Sequence, residues 1–110
     1  MSIVTKLNHE DVNRLKHNQG VILLDFYAEL RGPCKALAPV LEKFASENTN
    51  VIVGKVNVDE NRNTAAEFGI KGIPTLVLLH NGAEAGRLVG VASQRVIQNL
   101  LDGISARSTP

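Results

Sequence analysis

The strongest constraint on the fold of this chain is a junction between a predicted strand and a predicted helix. The run Val21–Tyr27 is apolar except for Asp25, and its branched and aromatic side chains are typical of a central strand that is covered on both faces. A short polar turn follows it. Gly32 permits a tight entry and Pro33 favours the first turn of a helix, where its missing N–H leaves no hydrogen bond unmade. The chain's only cysteine, Cys34, is therefore predicted to lie in the first turn of that helix.

Length and composition favour a single globular domain. The chain has 110 residues, of which 44% are hydrophobic, and a net charge of +1, which suits one ordinary core. Basic and acidic residues alternate and form no block, so we predict no nucleic-acid partner. No apolar run approaches the roughly 20 residues needed to span a bilayer, and the N-terminus lacks the pattern of a secretion signal. We therefore predict a cytoplasmic protein with no membrane partner, and a single cysteine suits a reducing compartment.

The remaining elements follow from periodicity and from turn residues. The predicted strands are Ile3–Leu7, Val21–Tyr27, Val51–Val58, Thr75–Leu79 and Ala85–Val89, with a hairpin turn at Asn81-Gly82 before the last one. The predicted helices run from the Asn8 cap to near Gly20, from Pro33 to about Glu47, from Asp59 to Phe68 with Gly69 closing it, and from the Ser93 cap to Gly103. This order predicts an α/β fold in which helices cover both faces of a mixed central β-sheet. We expect residues 1–104 to form the domain and residues 105–110 to form a mobile C-terminal tail.

Several stretches resemble the thioredoxin family. The segment that begins at Asp25 reads Asp-Phe-Tyr-Ala-Glu-Leu-Arg-Gly-Pro-Cys-Lys, and the family's active-site pattern is Asp-Phe-x-Ala-x-Trp-Cys-Gly-Pro-Cys-Lys. Further matches, in the family's order and spacing, are Lys55 in its strand, the Gly72–Thr75 turn, the Asn81-Gly82 hairpin and the Val89-Gly90 pair. The resemblance covers nearly the whole chain and implies a thioredoxin fold. The chain departs from the pattern at Leu30, where the family has tryptophan, and at Arg31, where it has the attacking cysteine.

The resemblance assigns Cys34 to the position of the family's second, resolving thiol. Disulfide exchange in the family needs one thiol that attacks and another that releases the mixed disulfide, so we predict that the two-thiol reductase reaction is lost or strongly impaired. In one interpretation, Arg31 lowers the pKa of Cys34, which then acts alone as a nucleophile or forms mixed disulfides. In the other, Arg31 points into solvent and Cys34 is a buried, inert, small apolar residue.

Asp25 is a carboxylic acid in an otherwise apolar strand, so its pKa is expected to be raised unless it is paired. In thioredoxins the matching acid exchanges a proton with the resolving cysteine, and the matching lysine lies nearby. The resemblance therefore implies that Asp25 and Lys55 are retained parts of the catalytic machinery. The alternative is a buried ion pair or a solvated acid with no catalytic role.

The Ile73-Pro74 pair matches the family's cis-proline turn. The resemblance implies that this turn lies against the active-site turn and offers its backbone to an extended peptide, which would pair with it like an added strand. The alternative is a structural turn with no ligand. The peptide-docking surface is predicted to comprise Leu30, Gly32, Pro33, Ile73, Pro74, Gly90 and Val91.

The sequence predicts no cofactor and no metal, since His9, His17 and His80 are scattered and none lies at ligand spacing from Cys34. We predict a monomer that recognises a protein or peptide partner. The main alternative is an oxidoreductase that uses Cys34 alone with Arg31 as its electrostatic helper. Two further hypotheses are a conventional thioredoxin altered by engineering or drift, and a pair of chains joined through Cys34 under oxidation.

Overall fold

The structure is a computed structural model that describes residues 3–108, with the side chains of residues 3–104. Its sheet has five strands in the order β1-β3-β2-β4-β5. The strands are β1 (Thr5–Lys6), β2 (Val21–Tyr27), β3 (Val51–Asn57), β4 (Thr75–His80) and β5 (Ala83–Val89). The helices are α1 (His9–Leu15), α2 (Gly32–Glu47), α3 (Arg62–Glu67) and α4 (Gln94–Ser108).

The central strand β2 pairs parallel with β3 on one side and antiparallel with β4 on the other. The sheet is therefore mixed. Alternate residues of β2 face opposite sides, so that Leu23 packs into a core with α2 and α4, while Leu24 and Phe26 pack into a second core with Val12 of α1. The prediction of a mixed sheet with helices on both faces is confirmed.

The predicted helix caps at Asn8 and Ser93 are confirmed. The Asn8 side chain accepts a hydrogen bond from the N–H of Asp11 at 2.9 Å, and the Asp11 carboxylate accepts one from the N–H of Asn8 at 2.9 Å. The Ser93 hydroxyl accepts from the N–H of Val96 at 3.2 Å. Gly69, at φ 63°, closes α3 as predicted.

The predicted hairpin turn at Asn81-Gly82 is also confirmed, and it joins β4 to β5. Both residues have positive φ angles, 52° and 86°, as a two-residue turn of type I′ requires. A Cβ atom at Gly82 would lie 2.3 Å from the carbonyl oxygen of Lys16. Glycine is therefore required at this position both by the backbone angle and by the close approach of another backbone segment.

Three predicted helix boundaries are wrong. The helix predicted to begin at Asp59 begins at Arg62, because the Asn57 side chain accepts hydrogen bonds from the N–H groups of Asp59 and Glu60 at 2.8 and 3.2 Å and holds them in a turn.

The last helix does not end at Gly103 but continues to Ser108. Ile104, which follows that glycine, is only 4% exposed and belongs to the core beneath α2 and α4. Packing therefore outweighs the weak preference of glycine for ending a helix. Of the predicted tail, residues 105–108 are helical, whereas Thr109 and Pro110 lie outside the described residues.

The helix predicted to end near Gly20 is the third, and the bounds of several strands also differ. The first strand is limited to Thr5–Lys6, and α1 ends at Leu15 because bonds of the i to i−3 type replace the helical pattern after it. β5 begins at Ala83, directly after the hairpin turn. Within residues 3–108, no helix is both long enough and apolar enough to cross a bilayer.

Candidate active site

The strand register places Asp25 beside Lys55. These residues are direct partners in the parallel pairing of β2 with β3, so both side chains project from the face of the sheet that α2 covers. Leu23 and Val53, two positions earlier in each strand, lie in the core on that face. The sheet therefore sets a carboxylic acid and an ammonium group next to each other under the start of α2.

The Asp25 carboxyl group is buried, and one of its oxygen atoms lacks a hydrogen-bond partner in the described part of the chain. Asp25 is 4% exposed, and among the described residues its Oδ1 atom accepts no hydrogen bond. Burial raises the pKa of Asp25 to about 7, and the nearby charge of Lys55 opposes that rise without cancelling it. Asp25 can therefore gain or lose a proton near neutral pH, as an acid or base in proton transfer must.

Cys34 lies on the buried side of α2. It precedes Leu37, Leu41 and Phe44, at the spacing of a single helical stripe, and all three pack in the core. Cys34 is a free thiol and is 6% exposed. The stripe explains this burial, since a residue three positions before Leu37 must face the same way.

A small cavity of about 120 Å³ connects these groups. It lies between the end of β2, β3 and the first turns of α2, and both Asp25 and Cys34 line it. The complete lining is Asp25, Tyr27, Ala28, Glu29, Cys34, Lys35, Ala38 and Lys55. The structure thus brings together three of the four predicted catalytic residues, Asp25, Cys34 and Lys55.

Arg31, the fourth, is not among the residues that line this cavity. It is exposed and forms the N-cap of α2 in an extended conformation, with no hydrogen bond from its side chain to the helix. No acidic residue occupies the first turn of α2. A cation therefore stands at the positive end of a helix without an acidic neighbour in that turn.

Tyr27 and Glu29 are cavity residues that the sequence analysis missed. The Tyr27 hydroxyl donates to the Glu29 carboxylate at 3.3 Å, and the Lys55 Nζ atom lies 5.5 Å from the centre of the Tyr27 ring. Tyr27 could have been found, because it lies two positions after Asp25 in one strand and so shares its face.

The Ile73-Pro74 turn lies at the same end of the sheet. Its peptide bond is cis, and the Pro74 carbonyl accepts a hydrogen bond from the N–H of Gly90 at 2.8 Å. Thr75, which follows the turn, is the register partner of Phe26 in β2, close to where β2 passes into the Leu30 loop. Among the described residues, neither the N–H nor the C=O of Ile73 takes part in a hydrogen bond.

The residues predicted to dock a peptide differ in exposure. Leu30 is 90% exposed and Val91 is 54% exposed, while Gly32 and Pro33 are also exposed. Ile73 and Gly90 are half-buried, and Pro74 is buried. Val89 was not predicted as part of this surface, yet it is 70% exposed and pairs with Thr75 directly after the turn.

A larger cavity, of about 460 Å³, contains none of the predicted site residues. Its two cations are already paired, Lys16 with Glu67 at 3.0 Å and Arg87 with Glu84 at 2.7 Å. Within the described residues, no group of three or more His, Cys, Asp or Glu side chains is arranged to hold a metal ion.

Comparisons with family models, with protein sequences and with solved structures all identify the same family. A family model described as Thioredoxin matches residues 2–103. A thioredoxin of Chlamydia pneumoniae is 42% identical over 83 residues, which cover 76% of this chain and 81% of that protein. A thioredoxin of Haemophilus influenzae is 39% identical over 104 residues, covering 93% of this chain and 97% of the other. Among solved structures, an asparagine-to-glutamine mutant thioredoxin from Halobacterium salinarum NRC-1 matches with a TM-score of 0.81 and 34% identity, over 94% of this chain and 93% of that one.

Proposed function

Because the chain belongs to the thioredoxin family, we propose that it docks a protein or peptide partner while the two-thiol disulfide reductase reaction is lost or strongly impaired. The proposed loss of the reductase reaction rests on the position of the chain's only cysteine. Cys34 is buried on the inner stripe of α2, and the exposed position at the start of that helix is Arg31. A guanidinium group cannot attack a disulfide, so no exposed thiol is present to begin the reaction.

The lost step follows from the chemistry of exchange. A thiolate attacks one sulfur of a substrate disulfide, the other sulfur leaves as a thiolate, and a second thiol of the enzyme then displaces the substrate from the mixed disulfide. With Cys34 alone, the enzyme cannot form the internal disulfide that would release the product. Cys34 would therefore need an external thiol for every turnover.

The retained turn supports docking. Within residues 3–108 the backbone groups of Ile73 make no hydrogen bond, and Leu30, Val89 and Val91 expose apolar side chains at the same end of the sheet. An extended peptide could hydrogen-bond to Ile73 and cover those side chains, in the manner of an added strand. Exposed apolar residues grouped in this way are typical of a binding surface.

The proposed loss of reductase activity is tested by measuring the reduction of insulin disulfides in the presence of either thioredoxin reductase or a chemical reductant. We expect turnover at the background of the reductant alone, and the Cys34→Ser variant to give the same result. Robust turnover by the natural chain that disappears in Cys34→Ser would contradict the proposal.

A single-thiol reaction at Cys34 is the second candidate, because Asp25 lines the same cavity and its Oδ1 atom has no partner among the described residues. Asp25 would accept the thiol proton as Cys34 attacks a substrate disulfide. The rate of iodoacetamide alkylation against pH tests it. This candidate would be supported if the pKa of the Cys34 thiol were well below the roughly 8.5 of a free cysteine and changed in the Asp25→Asn variant. A thiol that does not react with iodoacetamide would exclude it.

We propose further that the protein acts as a monomer in the cytoplasm. Cys34 is the only cysteine of the chain, and its burial leaves little sulfur surface for a disulfide between two chains. A non-reducing gel after mild oxidation should show only single chains. A dimer band that is absent in Cys34→Ser would contradict this expectation.

A further inference from the structure

We propose that the docking surface selects extended peptides in which an acidic side chain lies beside an apolar one. This inference rests on the proposed docking function and names the chemistry of its ligand. The occupant is a peptide segment of a partner protein, and its carboxylate is recognised by the cations at the start of α2.

The apolar part of the surface surrounds the Ile73-Pro74 turn. Val89 is the register partner of Thr75, and a Cβ atom at Gly72 would lie 3.4 Å from the Val89 side chain. Val91 follows in the same segment, and Leu30 lies in the loop that leaves β2 at this end of the sheet. These side chains would bind one or two apolar residues of the peptide.

Unpaired cations accompany the apolar side chains. The ion pairs found within residues 3–104 involve Lys6, Arg14, Lys16 and Arg87, each with a nearby acid. Arg31, Lys35 and Lys71 are exposed and belong to none of these pairs. Arg31 directly follows Leu30, Lys35 lies one turn further into α2, and Lys71 precedes the turn at Gly72.

The start of α2 adds to this positive charge. The helix has 16 residues, and its N-cap residue, Arg31, provides no side-chain hydrogen bond to the free N–H groups of the first turn. The positive end of the helix dipole therefore faces the same surface as the guanidinium group. A peptide carboxylate placed there would offset both charges.

Glu29 is the exposed acid closest along the chain to Leu30 and Arg31. Glu29 precedes Leu30, and its carboxylate accepts the hydrogen bond from Tyr27 at the rim of the cavity. The exposed Glu29 carboxylate contributes one negative charge, whereas Arg31, Lys35 and Lys71 contribute three positive charges. The surface is therefore positive. An acidic ligand is therefore favoured over a neutral or basic one, chiefly through faster association that salt weakens.

The experiment is a selection from a displayed library of random extended heptapeptides, run on the natural chain, on Arg31→Glu and Arg31→Gln, and on Lys43→Glu. Lys43 is exposed on the same helix, at its far end, so its variant has the same charge change as Arg31→Glu at a remote place. We expect peptides selected by the natural chain and by Lys43→Glu to be enriched in Asp and Glu. We expect that enrichment to weaken in Arg31→Gln, where two cations still oppose one acid, and to vanish in Arg31→Glu, where the charges of the two cations and two acids balance.

The best selected peptide is then compared with its Glu-to-Gln counterpart by fluorescence anisotropy. The acidic form should bind about two- to fivefold more tightly at low salt, and the ratio should approach one at high salt. Binders without acidic enrichment would overturn this inference and leave the docking function standing. Failure to select any binder would overturn the docking function itself, and circular dichroism of each variant shows whether it is folded.

Discussion

At the scale of single residues, the site is defined by a buried acid. Asp25 lies in a strand between apolar neighbours, and its Oδ1 atom is unpartnered among the described residues. Because burial disfavours the charged form, the folded chain holds the proton of Asp25 up to a pH of about 7. The unfolded chain releases it near the ordinary value of 3.8.

This difference predicts how the stability depends on pH. Between about pH 4 and pH 7 the folded state binds the proton and the unfolded state does not, so the free energy of unfolding falls as the pH rises through this range. The Asp25→Asn variant has no proton to release at this position, so its free energy of unfolding should not fall for this reason as the pH rises. Relative to the natural chain, the variant should gain about 2–4 kcal/mol between pH 4 and pH 8.

Urea denaturation at pH 4, 6 and 8 measures this effect. Asp59→Asn, which changes an exposed acid in the turn before α3, is the matched control. Its free energy of unfolding should change with pH in the same way as that of the unsubstituted chain. Equal pH dependence in Asp25→Asn and in the natural chain would show that Asp25 is ionised in the folded state at neutral pH.

Arg31 provides a second prediction at this scale, since it is a poor N-cap for α2. It makes no side-chain cap and places a cation at the positive end of the helix. Serine there would accept a hydrogen bond from the first turn, so Arg31→Ser should raise the free energy of unfolding by about 1 kcal/mol. Chemical denaturation measures it, with Lys43→Ser as the control, and a loss of stability would show that Arg31 has a stabilising contact.

At the scale of elements, the hairpin between β4 and β5 is fastened to the loop before β2. The N–H of Asn81 donates to the Gly20 carbonyl at 2.9 Å, and the Asn81 side chain accepts from the N–H of Gly20 at 2.7 Å. Gly82 approaches the carbonyl of Lys16, at the end of α1. The turn therefore joins β4 to β5 and also holds the loop before β2 and the end of α1.

Two glycine variants separate the causes of strain in this region. Gly20 and Gly82 both have positive φ angles, 100° and 86°, but a Cβ atom would meet nothing within 4 Å at Gly20, whereas at Gly82 it would meet a backbone oxygen at 2.3 Å. Gly20→Ala should cost about 1–2 kcal/mol from the backbone angle alone. Gly82→Ala should cost at least about 1 kcal/mol more, because the clash adds to it. Equal losses in urea denaturation would mean that the turn moves away from Lys16 without cost.

At the scale of the whole molecule, the fold brings together three of the predicted catalytic residues and the predicted docking turn. Asp25, Lys55 and Cys34 share one cavity, and the Ile73-Pro74 turn lies at the same end of the sheet. Two side chains differ from the family's pattern here, Leu30 in place of tryptophan and Arg31 in place of the attacking cysteine. Compared with that pattern, the chain has no thiol at the position of the attacking cysteine.

Arg31→Cys should consequently restore the reduction of insulin disulfides. The new thiol would stand at the start of α2, where the helix dipole favours a thiolate, and Cys34 would resolve the mixed disulfide. The assay is insulin precipitation with reductant, and the double variant Arg31→Cys, Cys34→Ser should form the mixed disulfide without turning over. A folded but inactive Arg31→Cys would show that the divergence extends beyond this position.

The sequence alone was sufficient for the features that depend on neighbours along the chain. Local spacing and residue type predict the order of strands and helices, the caps at Asn8 and Ser93 and the turn at Asn81-Gly82. The absence of a second thiol is read directly from the sequence. The caps and the turn are local because hydrogen bonds within a turn or a cap join residues only a few positions apart.

Other features were decided by packing between distant segments. The register of β2 against β3 sets Asp25 beside Lys55, which the sequence indicated only through the family resemblance, and the core under α4 carries that helix past Gly103. The burial of Cys34, the cavity beneath it and the exposure of Val89 likewise depend on which surfaces meet. Such contacts join residues far apart in the chain, and their free energy exceeds the weak local preferences that a sequence pattern expresses.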